Sequence, residues 1–244
     1  MRLSRSFRLS VAAVACTGLM SLAACSEDSE PEPRATESSE TPAEEAPEAD
    51  EDAAEEVDTD TDATTSEGTP EWAAPATEVK GELISTIEAG DVTVEAYQVG
   101  TDKASKDGMF VDPETRESLL AEGDPIVFVN FVITNNGDPI DLGASLVKVT
   151  PKYDDWKWGQ GMDIVTDKEQ YDALGLNTGG LAADAFRDPS VYTFGTGETF
   201  AYAQGFRHQK NSPITFEVSV IPVDAEGDLI HDEGQKATGS ATIA

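Results

Sequence analysis

The sequence predicts an all-β fold, an antiparallel β-sandwich, and three observations support this prediction. Apolar residues recur at every second position in several segments of the last two thirds of the chain, which is the period of a half-buried strand. Clusters of Asn, Gly, Asp, Ser and Pro separate these segments, as turns do. The segments are also short, so tight antiparallel connections are expected rather than the long crossovers of a parallel sheet.

The clearest strand carries Val127, Val129, Phe131 and Ile133 on one face and Phe128 on the other. The same alternation occurs at 147–150, 200–206 and 214–220, and more weakly at 92–99 and 238–243. A sandwich buries one face of each sheet and leaves the other to solvent. We therefore expect the face of Phe131 to be buried and that of Phe128 to be wet.

Two segments have the pattern of short helices in the connections between strands. The first runs from Asp112 to Gly123, with Asp112 as the N-cap, Pro113 in the first turn and the glycine as the stop. The second runs from Thr166 to Leu174 and has acidic residues near its start.

The N-terminus has the order of an export signal. Arg2, Arg5 and Arg8 precede an apolar run from Leu9 to Leu22, which is too short and too rich in small residues for a lasting membrane span. The run closes on Leu-Ala-Ala-Cys, ending at Cys25, and this motif resembles a bacterial lipobox. The resemblance implies cleavage between Ala24 and Cys25 and a diacylglyceryl group on the cysteine, so residues 1–24 would be the signal peptide.

Residues 25–77 are predicted to form the lipidated cysteine and a disordered acidic tether. From Ser26 to Glu71 there are 19 acidic residues and a single base, Arg34, and Val57 is the only branched aliphatic residue. Such a segment cannot bury enough apolar surface to offset the entropy of ordering. Residues 78–244 are then the sandwich domain, whose length is normal for one domain.

Two motifs of this domain carry a family resemblance. The strand Ile126–Thr134 followed by Asn-Asn-Gly, and the segment Gly195–Phe200 leading into an aromatic strand, resemble immunoglobulin-like domains of Gram-positive, in particular actinobacterial, lipoproteins and secreted proteins. These domains are akin to secreted mycobacterial antigens. The resemblance covers roughly residues 80–223. It implies an immunoglobulin-like sandwich and says little about chemistry, because the function of the family is mostly unassigned.

Charge and cysteine content exclude several function classes. The domain has 29 acidic and 12 basic residues, a net charge of −17, which repels nucleic acid and anionic lipids but not basic partners. Cys16 leaves with the signal and Cys25 is the lipid site, so no thiol remains for a disulfide or a thiolate site. The two histidines, His208 and His231, are too few for a typical zinc or copper site, and we expect no cofactor.

One cluster of aromatic and acidic residues is a candidate ligand-binding site: Tyr153, Asp154, Asp155, Trp156 and Trp158. Ring faces attract cations, and the carboxylates accept hydrogen bonds, so the cluster could hold a sugar or a cationic group. Alternatively, the aromatic rings pack at the end of the core. No nucleophile or phosphate-loop motif accompanies the cluster.

The sequence therefore predicts an extracytoplasmic lipoprotein, lipid-anchored in the cell membrane, that acts as a binding or accessory module and not as an enzyme. Its partner would be an envelope protein or a cell-wall component. Two alternatives stay open: a structural or antigenic surface protein without a dedicated ligand, and a cell-wall-active enzyme.

Overall fold

Ten strands, one short helix and a turn of 3-10 helix make up the part of the chain that the computed structural model describes, residues 68–78 and 81–244. Every pairing between these strands is antiparallel. In chain order the elements are β1 Glu82–Ala89, β2 Val92–Lys103, β3 Pro125–Asn135, β4 Ile140–Leu142, β5 Lys148–Tyr153, β6 Ile164–Val165, α1 Lys168–Leu174, β7 Tyr192–Phe194, β8 Thr199–Arg207, β9 Pro213–Val220, the 3-10 turn His231–Glu233 and β10 Gln235–Thr242.

The strands form two main sheets, ordered β1-β2-β3-β8-β6 and β10-β9-β5, and a small pair of β4 with β7. Taken from β2 onward, this order is that of an immunoglobulin constant-type sandwich, with strands A, B, E and D in one sheet and G, F and C in the other. β1 adds one strand at the edge beside A. The predicted all-β, immunoglobulin-like antiparallel sandwich is confirmed.

The core lies between the inner faces of the two sheets. Val127, Val129, Phe131 and Ile133 of β3 all point into it, as their spacing predicts, and each is fully buried. Across the gap Phe131 meets Phe216 of β9 edge-to-face, with ring centroids 5.5 Å apart. These are the strands that a disulfide joins in antibody domains. In this cysteine-free domain, aromatic packing links them instead.

The outer face of the five-stranded sheet is covered, and the prediction that it is wet is wrong. Phe128, on that face, is fully buried and lies edge-to-face with Tyr171 of α1 at 5.1 Å. A second apolar cluster is completed by Leu120, from the connection between β2 and β3, and by Leu176, from the connection after α1. β3 is apolar on both faces because it is buried on both, so its period-two pattern could not show which face is wet.

The outer face of the three-stranded sheet is wet, as predicted. β5 alternates strictly between exposed and buried residues, and β10 between exposed and partly buried ones. The free edge of β5 is closed by side chains from the other sheet. The Tyr202 hydroxyl accepts from the Val149 amide at 3.0 Å, and the Gln204 amide donates to the Val149 carbonyl at 3.0 Å. These contacts occupy backbone groups that would otherwise be available to pair with a further strand.

Of the two predicted helices, one is present. α1 occupies the predicted position, with Asp167 as its N-cap and Gly175 in the left-handed conformation at its end. The segment from Asp112 is not helical. Asp112 Oδ1 accepts from the amides of the next turn as a cap would, but Arg116 then adopts a φ of 66° and the chain folds back. The reversal returns Leu119 to the core, where it is 3% exposed.

Residues 68–78, the N-terminal segment, pack on the sandwich, which corrects the predicted domain boundary at residue 78. Trp72 is only 7% exposed, and its ring lies edge-to-face with Phe200 at 5.2 Å. The Ala74 amide donates to the Gly180 carbonyl at 2.8 Å, and the Ala182 amide donates to the Trp72 carbonyl at 3.0 Å. The domain therefore begins at or before residue 68. Cys25, the predicted signal peptide and the rest of the predicted tether lie outside the described residues.

Candidate functional site

Two rings of the predicted aromatic and acidic cluster are buried in the core. Tyr153 is fully buried; its hydroxyl donates to the Arg207 carbonyl at 2.8 Å and accepts from the Gln209 amide at 3.1 Å. Burial raises the pKa of Tyr153 to about 12. Trp156 is 7% exposed, and its indole donates to the Gln160 carbonyl at 2.9 Å. Neither ring presents a face to solvent that a ligand could contact.

The rest of the cluster is nearer the surface and already paired within the domain. Trp158 is half-buried against Trp156, with ring centroids 4.5 Å apart, and donates to Asp112 Oδ2 at 2.9 Å. That hydrogen bond is the main reason that the pKa of Asp112 lies below its usual value. Asp154 and Asp155 are exposed, and each accepts a hydrogen bond from a neighbouring side chain. The structure thus brings the two tryptophan rings together, packs the Tyr153 ring against Phe206, and leaves the two carboxylates at the surface.

The two motifs of the family resemblance meet at one end of the sandwich. The Asn135 amide donates to the Glu198 carbonyl at 3.1 Å, and the Gly197 amide donates to the Asn135 carbonyl at 2.7 Å. Gly197 has a φ of 77°, which favours glycine. The Glu198 carboxylate accepts from the Gly195 amide at 2.6 Å and fixes the turn. The motifs are therefore a structural clasp between β3 and β8.

A groove of about 640 Å³, which we call the end groove, lies beside this clasp. This volume falls within the range of about 300–1,000 Å³ that is usual for ligand sites. Three parts of the chain form its walls: the N-terminal segment, the connection before β7, and the turns at either end of the clasp. The lining residues are Pro70, Glu71, Trp72, Pro139, Asp184, Ala185, Arg187, Thr193, Gly195 and Glu198.

Trp72 fixes the wall that the N-terminal segment contributes. Its indole Nε1 donates to the Thr193 carbonyl at 2.7 Å. Its ring also lies edge-to-face with Tyr192 at 5.8 Å and with Phe194 at 6.2 Å. Since these partners are β7 residues, the contacts of Trp72 hold the N-terminal segment against β7 at the groove.

The charged side chains of the end groove are unequally engaged. Arg187 lies over the Tyr192 ring, with its guanidinium carbon 4.7 Å from the ring centroid. Glu198 is held by the clasp. Glu71 and Asp184 are exposed, and neither forms an ion pair with another described residue. Phe186, between the lining residues on either side of it, is 74% exposed.

Sequence reasoning missed the end groove because it placed Trp72 in the tether. One signal was available: Pro70, Trp72, Ala73 and Ala74 interrupt an acidic tract that otherwise lacks large apolar residues. No sequence pattern shows that Asp184 and Arg187 line the groove, because their position depends on how the long connection before β7 folds over the end of the sandwich.

Two further features concern metals and membranes. Within residues 68–78 and 81–244, no group of three or more His, Cys, Asp or Glu side chains is arranged to hold a metal ion. In the same part of the chain, no helix has the length and apolar character needed to cross a membrane.

Comparison with known proteins gives a distant structural neighbour. It is the crystal structure of a candidate lipoprotein, YcdA, from Bacillus subtilis, with 14% sequence identity and a TM-score of 0.34. The match covers 64% of this chain and 38% of that chain, so this chain spans well under half of its neighbour's length. A likeness this distant carries no argument about family or function. No family profile and no curated protein matches the sequence, and no comparison supports an actinobacterial origin.

Proposed function

We propose that this chain is a lipoprotein, anchored by a lipid on Cys25 at the outer side of the cell membrane, whose sandwich is a binding or accessory module and not an enzyme. The observation that carries the proposal is the Leu-Ala-Ala-Cys motif that closes the predicted export signal. An acylated cysteine needs no membrane-spanning helix, because two acyl chains suffice for stable anchoring at about 0.8 kcal/mol per buried methylene.

The domain supports a binding role through the end groove. The groove has a volume typical of ligand sites and the exposed carboxylates of Glu71 and Asp184, and the exposed ring of Phe186 follows the lining residue Ala185 in the chain. The predicted cluster around Trp156 is the weaker candidate, since its rings are engaged in packing.

The anchor is tested by replacing the modified cysteine. Cys25→Ser should abolish incorporation of a radiolabelled fatty acid and release the protein from the membrane fraction. Cys16→Ser is the matched control, because it removes the other cysteine of the chain and leaves the lipobox intact. If both variants stay in the membrane fraction and keep the label, the lipid anchor is refuted.

The binding role is tested on intact cells of the organism that produces the protein. A photo-crosslinking amino acid placed at Phe186, in the membrane-anchored protein, should give one discrete adduct that is absent when the same group stands at Met109, another exposed apolar position. A purely structural or antigenic role gives no discrete adduct at either position. A turnover assay on purified cell wall distinguishes the enzymatic alternative, for which soluble fragments should appear.

A further inference from the structure

We infer that the end groove binds a cationic peptide segment that carries an apolar side chain next to its basic residues. The inference deepens the proposed binding role by naming the chemistry of the partner. Three independent features support it: the shape of the groove, the charge of its exposed side chains, and the exposed ring beside it.

The openness of the groove favours a segment of a larger molecule over an enclosed small ligand. The groove runs between the N-terminal segment and the connection before β7, and it is open to solvent. Its volume of about 640 Å³ is large enough for several side chains, but its openness leaves a small molecule without the enclosure that usually buries most of a ligand's surface. A peptide that crosses the groove contacts both walls and keeps its ends in solvent.

The charge favours a cation. Glu71 on one wall and Asp184 on the other are exposed carboxylates, and Glu198 is a third carboxylate of the lining. Arg187, which keeps its positive charge over the Tyr192 ring, is the single basic residue of the lining, so the lining is net negative. A lysine or arginine side chain between the two walls would therefore meet negative charge from both sides. The net charge of −17 on residues 78–244 adds a long-range field that draws cations toward the domain.

The same charge excludes the nearest competing occupants. The chain's own segment before the groove, residues 26–69, has a net charge of −17, and a second copy of the domain is as acidic as the first. Both are repelled, as are anionic lipid and anionic cell-wall polymers. The occupant is thus a basic segment of a different molecule.

The apolar part of the partner is inferred from Phe186, which does not itself line the groove but whose chain neighbours Ala185 and Arg187 do. Its side chain is 74% exposed, although the chain places it between two residues that line the groove. Exposed aromatic rings are frequent anchors of protein interfaces, because they bury a large area at low entropic cost. A leucine or phenylalanine of the peptide would remove this ring from water.

The test uses fluorescence anisotropy with the described domain attached to its natural acidic segment. The probe is a short labelled peptide of alternating lysine and leucine, and the comparison peptides replace lysine by glutamate or leucine by glycine. Glu71→Gln combined with Asp184→Asn removes the two exposed charges of the groove. Glu88→Gln combined with Glu122→Gln is the matched control, since it removes two exposed charges that do not line the groove.

We expect the lysine–leucine peptide to bind and both comparison peptides to bind far more weakly. The groove pair and Phe186→Ala should each weaken binding about tenfold, while the control pair and Met109→Ala change it less than about twofold. Raising the salt concentration should weaken binding to the wild type more than to the groove pair.

Two results would overturn the inference. If the control pair weakens binding as much as the groove pair, the peptide is adsorbed by overall charge and the groove is not a site. If the peptide binds no better than its glutamate counterpart, the groove does not select cations. Neither result bears on the lipid anchor at Cys25. If a discrete crosslink forms at Phe186 in cells but the peptide test fails, the proposed binding role is retained and only the cationic peptide is rejected as its ligand.

Discussion

Replacing Trp72 by alanine should be among the most destabilising single changes in the N-terminal part of the domain. The side chain is 7% exposed, so it buries nearly all of the roughly 150–250 Å² that is typical of an aromatic residue. The substitution by alanine removes most of this buried area. At ~25 cal/mol per Å², this corresponds to about 4–6 kcal/mol, and large aromatic-to-alanine changes typically cost ~3–5 kcal/mol. The hydrogen bond from the indole to the Thr193 carbonyl adds little, because Thr193 is exposed and water can replace the donor.

The free energy of unfolding of each variant is measured by urea denaturation, monitored by circular dichroism. Trp72→Phe keeps a ring in the site and should lose only about 1–2 kcal/mol. Glu71→Ala is the matched control on the adjacent, exposed residue and should change stability by less than about 0.5 kcal/mol. A chain that starts at Gly68 should be as stable as the longer one, whereas a chain that starts at Glu78 should lose as much as Trp72→Ala.

The reasoning is refuted if Trp72→Ala costs less than about 1 kcal/mol, or if removing residues 68–77 leaves the midpoint of denaturation unchanged. Either result would show that the N-terminal segment is not an integral part of the sandwich. The predicted boundary at residue 78 would then stand, and the end groove would lose one of its walls.

Two further predictions follow from burial. Phe128→Ala should cost ~3–5 kcal/mol, as much as Phe131→Ala, because both faces of β3 are covered; a clearly smaller loss for Phe128 in urea denaturation would mean that the outer layer is loose. Burial raises the pKa of Tyr153 and of Tyr202 from 10.0 to about 12, so folding favours the protonated phenols. Each protonated phenol contributes about 2–3 kcal/mol to the free energy of unfolding below pH 10, and this contribution is lost as the pH rises toward 12. The ultraviolet absorbance of tyrosinate should report this alkaline unfolding. Tyr202→Phe should make the loss of stability above pH 10 shallower.

Strand period was a reliable guide to the inner core and a poor guide to the outer layer. The inward residues Val127, Val129 and Ile133 follow from alternation alone, because side chains along a strand point to opposite faces. Phe128 sits on the other face of a strand that is apolar throughout, and only the folding of distant connections over it decided its burial. The position of α1 was likewise readable, since the preference for acidic residues near the start of a helix is local in sequence.

The candidate site divides in the same way. Tyr153, Trp156 and Trp158 attracted attention because aromatic and acidic residues are dense there, but local density does not say whether a ring faces a ligand or the core. The end groove joins Trp72 to Asp184, more than a hundred positions apart. No local pattern could bring these two walls together, because their proximity depends on the packing of the N-terminal segment against β7.

The sequence by itself determined the sandwich and the acidity of the domain, and it predicts the export signal and the lipobox cysteine, since each follows from composition or from a short pattern along the chain. The tertiary structure alone decided where the domain begins, which sheet faces are wet, and that a groove exists at one end. These features depend on contacts such as that of Trp72 with Phe200, between residues far apart in sequence. The free energy of burial comes from surfaces that meet only when the chain is folded.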